Sequence, residues 1–410
     1  MKILIVSQHY YPESFRITSL AESLVKRGHK VTVLTGIPNY PKGDYYAGYS
    51  KKTHRDEILN GVHVIRASES PRKTGVIRRA INYYSFANSA KKIAKKLPGD
   101  FDVVLAWTTS PIMMAEPALT YKKKWGVPVL MYEMDLWPES LLAGGIKKGS
   151  LIYNYYQQVS SRIYSKMDKI LVSSKQHIGY IKSLLNQDVP FGWLPQYADD
   201  EGAPLETKEN SGIHRFLFAG NIGMAQSCDT IIEAAHLLKE YPNIEFLFAG
   251  DGSEAHHLKN LVQEKSISNV KFLGQIPKNE MGAIYASSDA AFVSLTKQGF
   301  CFTTIPGKVQ TYMKVGLPII NCAEGATAEF IEEAKCGINV PGENPKALSE
   351  AILHFVALSS DKRREMAENG KHFYNEFLTE EKHLDCIESE MKKLVAKKRF
   401  NKEFILTFRE

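Results

Sequence analysis

Three stretches of this chain present chemically able side chains on backbone turns. The first runs Phe302-Thr303-Thr304-Ile305-Pro306-Gly307-Lys308 and continues to Gly316. Proline and glycine open a helix near Lys308, and Gly316 closes it. A helix N-terminus offers free N–H groups and a positive dipole end, and a lysine at that point adds a full charge. Together they can clamp a diphosphate and stabilise it as charge develops on a leaving group. Thr304, Ile305, Pro306, Gly307 and Thr311 are the expected nucleotide-lining neighbours. The plainer reading of Lys308 is a surface lysine.

The second is a pair of glycine turns, Phe218-Ala219-Gly220-Asn221-Ile222-Gly223 and Phe248-Ala249-Gly250-Asp251-Gly252-Ser253. Each follows an apolar run, and the first leads into a helical stretch. Amides at such turns bind phosphate without a metal. Gly220, Asn221, Gly223 and Gly252 are therefore candidate donor contacts. The backbone of Gln275 and Ile276, after the next apolar run, is the candidate reader of a nucleotide base.

The third is Tyr132-Glu133-Met134-Asp135-Leu136-Trp137-Pro138-Glu139-Ser140. An aspartate at a strand end can accept a hydrogen bond from a sugar hydroxyl, and an indole can stack on a sugar ring. Asp135 and Glu139 join Lys308 as candidate catalytic residues; the competing reading is a helix N-cap. Glu13, Arg16 and Asn39, on loops after the first two apolar runs, join Trp137 as candidate acceptor contacts. Charge pairing at a helix start, or turn chemistry, would explain them equally simply.

Several chemistries find no support. No G-x-G-x-x-G follows the first apolar run, so no dinucleotide cofactor is expected there. Asp100-Phe101-Asp102 spells a metal-binding D-x-D, but it precedes an apolar run, at the amino end of the expected strand and away from the expected site. His256 and His257 are adjacent on a helical stretch and cannot share a metal. No G-x-S-x-G elbow occurs. No metal or other cofactor is expected.

Parallel strands must position these loops. Apolar, β-branched runs at 3–7, 31–35, 62–67, 103–106, 127–132 and 170–173 alternate with helical stretches such as 17–27 and 76–97. The pattern restarts at 216–219, 244–249, 270–273, 291–294, 318–321 and 337–340, with helices at 230–239 and 345–358 between. Such alternation predicts an α/β chain of two doubly wound, Rossmann-like domains facing each other across a ligand cleft. The expected borders are 1–195, a polar linker at 196–213, 214–375, and a helical segment at 376–410. That segment either crosses back to the first domain or ends as a solvated tail.

Of the formal charge of +7, residues 1–200 carry 28 Lys/Arg against 16 Asp/Glu, or +12, leaving 24 against 29, or −5. The basic half is either a solvated surface or the face that meets something anionic, such as phospholipid headgroups or a lipid-linked phosphate. Nucleic acid is not expected, because the basic residues are scattered and no recognition motif accompanies them. Five cysteines without a C-x-x-C pair point to reduced thiols in the cytosol. The N-terminal MKILIVSQHYYPESF reads as a first buried strand rather than a signal peptide.

These motifs together resemble glycosyltransferase family 4, over nearly the whole chain. Gly220-Asn221-Ile222-Gly223, Gly250-Asp251-Gly252, Val270-Lys271-Phe272-Leu273-Gly274, Tyr285-Ala286-Ser287-Ser288-Asp289 and Met313-Lys314-Val315-Gly316-Leu317-Pro318 carry the likeness. Leu34 to Pro41, Asp135 to Ser140 and Pro306-Gly307-Lys308 are similar to the branch of L-fucosamine transferases of O-antigen and capsule assembly. The resemblance implies the GT-B fold and a retaining, metal-independent transfer from a UDP-sugar. It also implies an acceptor on polyprenyl diphosphate at the cytoplasmic face of a bacterial membrane. The family's two glutamates, seven residues between them, fall on Thr303 and Thr311, and Asp135 takes the place of its N-terminal-domain histidine. A UDP-sugar 2-epimerase of the same fold and a non-catalytic nucleotide-binding scaffold are the alternatives.

Overall fold

The computed structural model of the chain describes residues 1–73, 75–198, 212–297 and 299–407; the side chains of 76, 143 and 401–407 lie outside that description. So does most of the expected linker, 199–211. The chain forms two compact units: residues 1–194 with 384–410, and residues 195–383.

The first unit is built on β1 (Lys2–Val6), β2 (Lys30–Thr35), β3 (Asp56–Leu59), β4 (Val62–Arg66), β5 (Val103–Thr108), β6 (Val129–Glu133), β7 (Lys169–Val172) and β8 (Phe191–Trp193). They form one sheet in the order β3-β4-β2-β1-β5-β6-β7-β8. Every pairing is parallel except β3 with β4. The central strands are buried on both faces, because helices cover both; this is why they read as unbroken apolar runs. Helix Ile17–Lys26 shows how: Ile17, Leu20, Ala21 and Leu24 form one buried stripe.

The expected runs missed two strands. β3 and β4 form a hairpin whose turn, Asn60-Gly61, has both residues at positive φ, 49° and 83°. Asn-Gly is the sequence signature of that turn. β8 has three residues and no alternation to read.

The second unit holds β9 (His214–Ala219), β10 (Ile244–Ala249), β11 (Val270–Gly274), β12 (Ala290–Ser294), β13 (Ile319–Cys322) and β14 (Gly337–Val340). The order is β11-β10-β9-β12-β13-β14, all parallel. This is the doubly wound order of a Rossmann sheet. Phe216, Phe246 and Phe292, on three adjacent strands, stack in its core. In both units the chain reverses strand order once, between β1 and β5 and between β9 and β12. Ligands bind at the carboxyl ends of the strands beside such a reversal.

The expected border at 375/376 needs correction: the chain leaves the second unit after His383. Tyr374 and Leu378 are still buried, and His383 Nδ1 lies 3.1 Å from the Pro195 carbonyl oxygen, within the second unit. From Leu384 an apolar stripe begins. Leu384, Ile387, Met391 and Val395 share a core with Ile3, Ile5, Leu20 and Leu24 of the first unit. Arg27 adds ion pairs to Asp385 at 2.6 Å and Glu388 at 3.0 Å. Among the described residues no helix is long and apolar enough to cross a membrane.

Candidate active site

In the second unit, the reversal between β9 and β12 is lined by backbone. Gly220 ends β9 at φ 127° and Gly250 ends β10 at φ 140°. A Cβ on Gly250 would stand 1.9 Å from the Gly220 carbonyl oxygen, so the two turns can touch only as glycines. Ile222 N–H then donates to Asp251 O at 2.9 Å, and Glu254 N–H to Ile222 O at 3.0 Å. The second turn thus braces the first and leaves Gly220 and Asn221 exposed.

Lys308 lies over this turn. Its helix, Gly307–Val315, starts after Pro306, as the sequence predicts. The ammonium sits 3.6 Å from the Phe218 ring centroid and 3.3 Å from Gln226 Oε1, a neutral acceptor. Among the described residues no carboxylate pairs with it. Desolvation lowers its pKa from 10.5 to about 8, against a small opposing effect of Cys228. A half-buried cation held by a π face and an amide oxygen has the features of an anion site awaiting its anion.

Other expected donor contacts divide. Gly223 opens the short turn Met224–Gln226, which carries the Gln226 side chain to Lys308. Thr304, Ile305 and Gly307 keep partial or full exposure. Gln275 and Ile276 follow β11, the edge strand two places from β9, or roughly 10 Å across the sheet. One expectation needs correction. Thr311 is buried, and its hydroxyl points at its own helix, 3.4 Å from Gly307 O. Gly252 is half-buried, and a Cβ there would meet Ile222 O at 2.3 Å, so glycine permits the close approach of the two turns.

In the first unit, the strand-end loops hold carboxylates, and most of these face inward. Glu13, expected at the acceptor, is buried. It pairs with His9 Nδ1 at 2.8 Å and accepts the N–H groups of Asn39 and Tyr40, each at 2.7 Å. Asn39 is fully buried; it donates to Glu69 Oε1 at 2.5 Å and accepts the Arg72 N–H at 2.7 Å. Both fasten one loop to another, which corrects the expectation that they meet acceptor. Glu69 carries no expectation from the sequence. It is buried with Gln8, Asn39 and Asn82 around it, and desolvation, aided by the Glu13 charge, pushes its carboxyl well above the ordinary range despite hydrogen bonds from Gln8 and Asn39. Its position just after a strand was the signal available.

Glu139, expected to be catalytic, also faces inward. It accepts hydrogen bonds from Tyr153 Oη at 2.6 Å and Lys148 Nζ at 3.0 Å. Burial raises its carboxyl, but the bonds from Tyr153, Lys148 and Tyr180 outweigh that and leave it below the ordinary value. Trp137 is nearly buried, with Nε1–H donating to Ser110 Oγ at 3.0 Å. Arg16 is half-buried at the cap of helix Ile17–Lys26.

Asp135 differs from its neighbours. It follows β6 and is exposed by area, yet the protein mass around it still desolvates its carboxyl and raises the pKa. Glu133 adds to the rise, while hydrogen bonds from Ser110 and the nearby His177 oppose it. It is a strand-end carboxylate that is exposed and has a raised pKa. The D-x-D, in contrast, is structural. Asp102 accepts the Lys2 N–H at 2.7 Å and Asp100 pairs with Lys2 Nζ, so the pair ties β1 to β5 at their amino ends.

The comparisons agree with this architecture. Residues 15–188 match the model of Glycosyltransferase Family 4, and residues 204–373 match Glycosyl transferases group 1. The Pseudomonas aeruginosa protein WbjE, named as a glycosyltransferase, is 28% identical over 323 residues, covering 74% of this chain and 78% of WbjE. WcaI of Escherichia coli (strain K12), named for glycosyl transfer in colanic acid biosynthesis, is 23% identical over 349 residues, covering 80% of this chain and 84% of WcaI. Anabaena HepE, solved in complex with UDP and glucose, has the same fold: TM-score 0.67 at 12% identity, covering 96% of this chain and 99% of HepE. The two family models, one on each Rossmann-like unit, and the named relatives make the chain a glycosyltransferase of family 4, with the GT-B fold.

Proposed function

We propose that the chain is a retaining glycosyltransferase that moves a sugar from a UDP-sugar to a lipid-linked glycan in the assembly of a bacterial surface polysaccharide. The transferred sugar is an N-acetylated amino or deoxyamino sugar. One observation carries the reading: the Lys308 ammonium stands over the β9 turn with a depressed pKa and no carboxylate partner among the described residues. A diphosphate would supply the missing charge, and a charge so placed favours its departure from the sugar. Gly220, Asn221 and Gly223 would add backbone contacts.

HepE binds UDP with glucose, and WcaI is named for colanic acid, an association that supports both the donor class and the polymer. Asp135 would accept a hydroxyl of the transferred sugar. In a front-face reaction the departing phosphate oxygen takes the acceptor proton, so the protein needs preorganised charge more than a strong base. No metal enters this scheme. The basic first half would keep the enzyme peripheral on the inner face of the cell membrane.

The test is UDP release from a panel of UDP-sugars, with and without a bacterial lipid-linked acceptor extract. Release that needs both components is the expected result and names the donor. Sugar interconversion without acceptor would replace transfer by 2-epimerisation, and UDP binding without turnover on every pair would leave a scaffold.

A further inference from the structure

Gln226 brings to the glycine turns a side chain with two unlike ends. It closes the short turn Met224–Gln226, which is fixed from both sides. Its own N–H donates to the Gly223 carbonyl at 2.9 Å. The Ala225 carbonyl accepts the Thr296 N–H at 3.1 Å, and the Ser227 carbonyl accepts the Ser294 hydroxyl at 3.2 Å. Ser294 ends β12 and Thr296 follows it, so these two bonds tie the turn across the strand-order reversal. The turn therefore sets Gln226 beside Lys308 without help from a ligand. Gln226 is half-buried, while Gly220, Asn221 and Met224 are exposed.

A glutamine amide has an acceptor at one end and two N–H donors at the other. Oε1 lies 3.3 Å from the Lys308 ammonium, towards the long edge of a hydrogen bond. Among the described residues no acceptor takes the Nε2–H groups. Other lysines of this unit lean on carboxylates: Lys265 on Glu233 at 2.8 Å, and Lys271 on Glu245 at 2.7 Å. A glutamate at 226 would pair Lys308 in the same way, cancel its charge and repel a phosphate. An aliphatic residue would leave the ammonium against the Phe218 ring with that acceptor gone. An amide holds the cation without cancelling it and keeps N–H groups to give to an anion.

We infer that Gln226 binds the donor through both ends: Oε1 positions the Lys308 ammonium, and the Nε2–H groups donate to the diphosphate of the sugar nucleotide. This rests on the nucleotide site proposed above and adds a residue to it. The long amide contact yields readily to phosphate oxygens, whose hydrogen bonds to an ammonium are the stronger. Other titratable groups stand close. Cys228 opens the next helix, and burial pushes its thiol up to about 12, so it is neutral near pH 8. Asp229 and Glu254 act on Cys228, and Asp229 is held by His257 at 2.8 Å. Asp251, on the second glycine turn, accepts the Gly252 N–H at 2.8 Å. Tyr312, one turn along the Lys308 helix, accepts the Ala219 N–H at 3.0 Å. None of these takes the ammonium, so a change at Gln226 acts on Lys308 directly.

The experiment is calorimetric titration of the full chain with UDP from about pH 7 to pH 10, where the phosphates keep their charge. Wild-type affinity should decline above about pH 8, as Lys308 loses its proton. Gln226→Met keeps the length of the side chain and removes both contacts. It should weaken UDP about tenfold at pH 7 and bring the decline to lower pH, since the charged amine loses an acceptor. Gln226→Glu should also weaken UDP about tenfold or more, but move the decline to higher pH, since a carboxylate favours the ammonium. A merely structural role would not displace the decline in opposite directions. Both variants should melt with the wild type, because the bonds that fix the turn do not use the Gln226 side chain. Gln226→Met within about threefold of wild type with its decline unmoved, beside a Lys308→Ala that loses UDP, would overturn the inference and leave the lysine's role intact. Undiminished UDP binding by Gln226→Glu would overturn it too. If Lys308→Ala binds UDP like the wild type while Gln226→Met loses tenfold, the lysine reading fails and the amide contact stands.

Discussion

The strand ends of the two units are made of opposite materials. In the second, glycine turns pack backbone on backbone and a single lysine lies over them. In the first, Gln8, Glu13, Asn39, Glu69, Glu133 and Glu139 crowd the same positions, and all are buried. The difference teaches how to weigh polar residues in strand-end loops. A buried carboxylate that accepts backbone amides, as Glu13 does, replaces secondary structure for loops that have none. A charge without a counter-charge among the described residues, as at Lys308, has no such structural return. Polar residues therefore hold the first unit's loops, and glycine holds the second unit's.

Replacing the lysine should break the comparison most. We expect Lys308→Ala to lower kcat/KM about 100- to 1000-fold, the effect of losing a preorganised charge at a departing group, roughly 3–4 kcal/mol. The fold should not suffer. The folded-state pKa is about 8 against 10.5 for an ordinary lysine. Folding therefore favours the neutral amine, and the charged form costs stability at pH 7, a cost relieved as pH rises from 8 towards 10.5. Melting at pH 7 should stay level or rise in the variant. In the wild type, kcat/KM should decline as the pH passes about 8, and Lys308→Arg should keep its activity flat there, because arginine stays charged. A loss under about threefold in Lys308→Ala would make the lysine a bystander.

Asp135 sharpens the comparison, since it is exposed although Ser110 hydrogen-bonds it, whereas Glu13, Glu69 and Glu139 are buried. Asp135→Asn should lower kcat roughly 10- to 100-fold, the ~1.5–3 kcal/mol of a hydrogen bond to a charged group. Burial and Glu133 raise its pKa, so the acid limb of the wild-type profile should lie above the ordinary carboxylate range and vanish in the variant. A raised pKa means the ionised form costs stability at neutral pH, so the variant should melt no lower than the wild type at pH 7. An acid limb that survives the substitution would assign it to another group.

The sheets were legible in the sequence because strands buried on both faces leave unbroken apolar runs. Twelve such runs fall on strands; the hairpin strand β3 was lost because its residues alternate in exposure and are short. The helix start at Gly307 was legible from Pro306, and the turn at Gly220 from glycine spacing. Side-chain direction in the loops was not. Glu13 and Asp135 both follow strands and both lie near a helix start or a proline, and nothing local says that one turns inward to His9 and two amides while the other faces out. The two amides come from a loop 26 and 27 residues away in sequence, and Arg72, which Asn39 positions, was missed for the same reason. Gln226 escaped because a neutral acceptor gives no signal until the lysine is beside it.

The smallest expected effect is at Glu139, and it tests whether inward-facing carboxylates of the first unit are purely structural. Glu139 lies four residues from Asp135 and read equally well as catalytic, yet Tyr153, Lys148 and Tyr180 hold it. Their hydrogen bonds prevail over burial and lower its pKa, so the ionised form stabilises the fold. That contribution is complete above the ordinary carboxylate range and is lost as the pH falls through the lowered folded-state value. Glu139→Gln keeps the shape and removes the charge. At pH 7 it should cost about 1 kcal/mol in denaturant melts, and the difference from wild type should shrink towards pH 3. Its kcat should stay within about threefold of wild type, because Tyr153, Lys148 and Tyr180 already take up its carboxylate. A fall of kcat as large as that of Asp135→Asn, with unchanged stability, would place Glu139 in the chemistry and end the division between bracing and acting carboxylates.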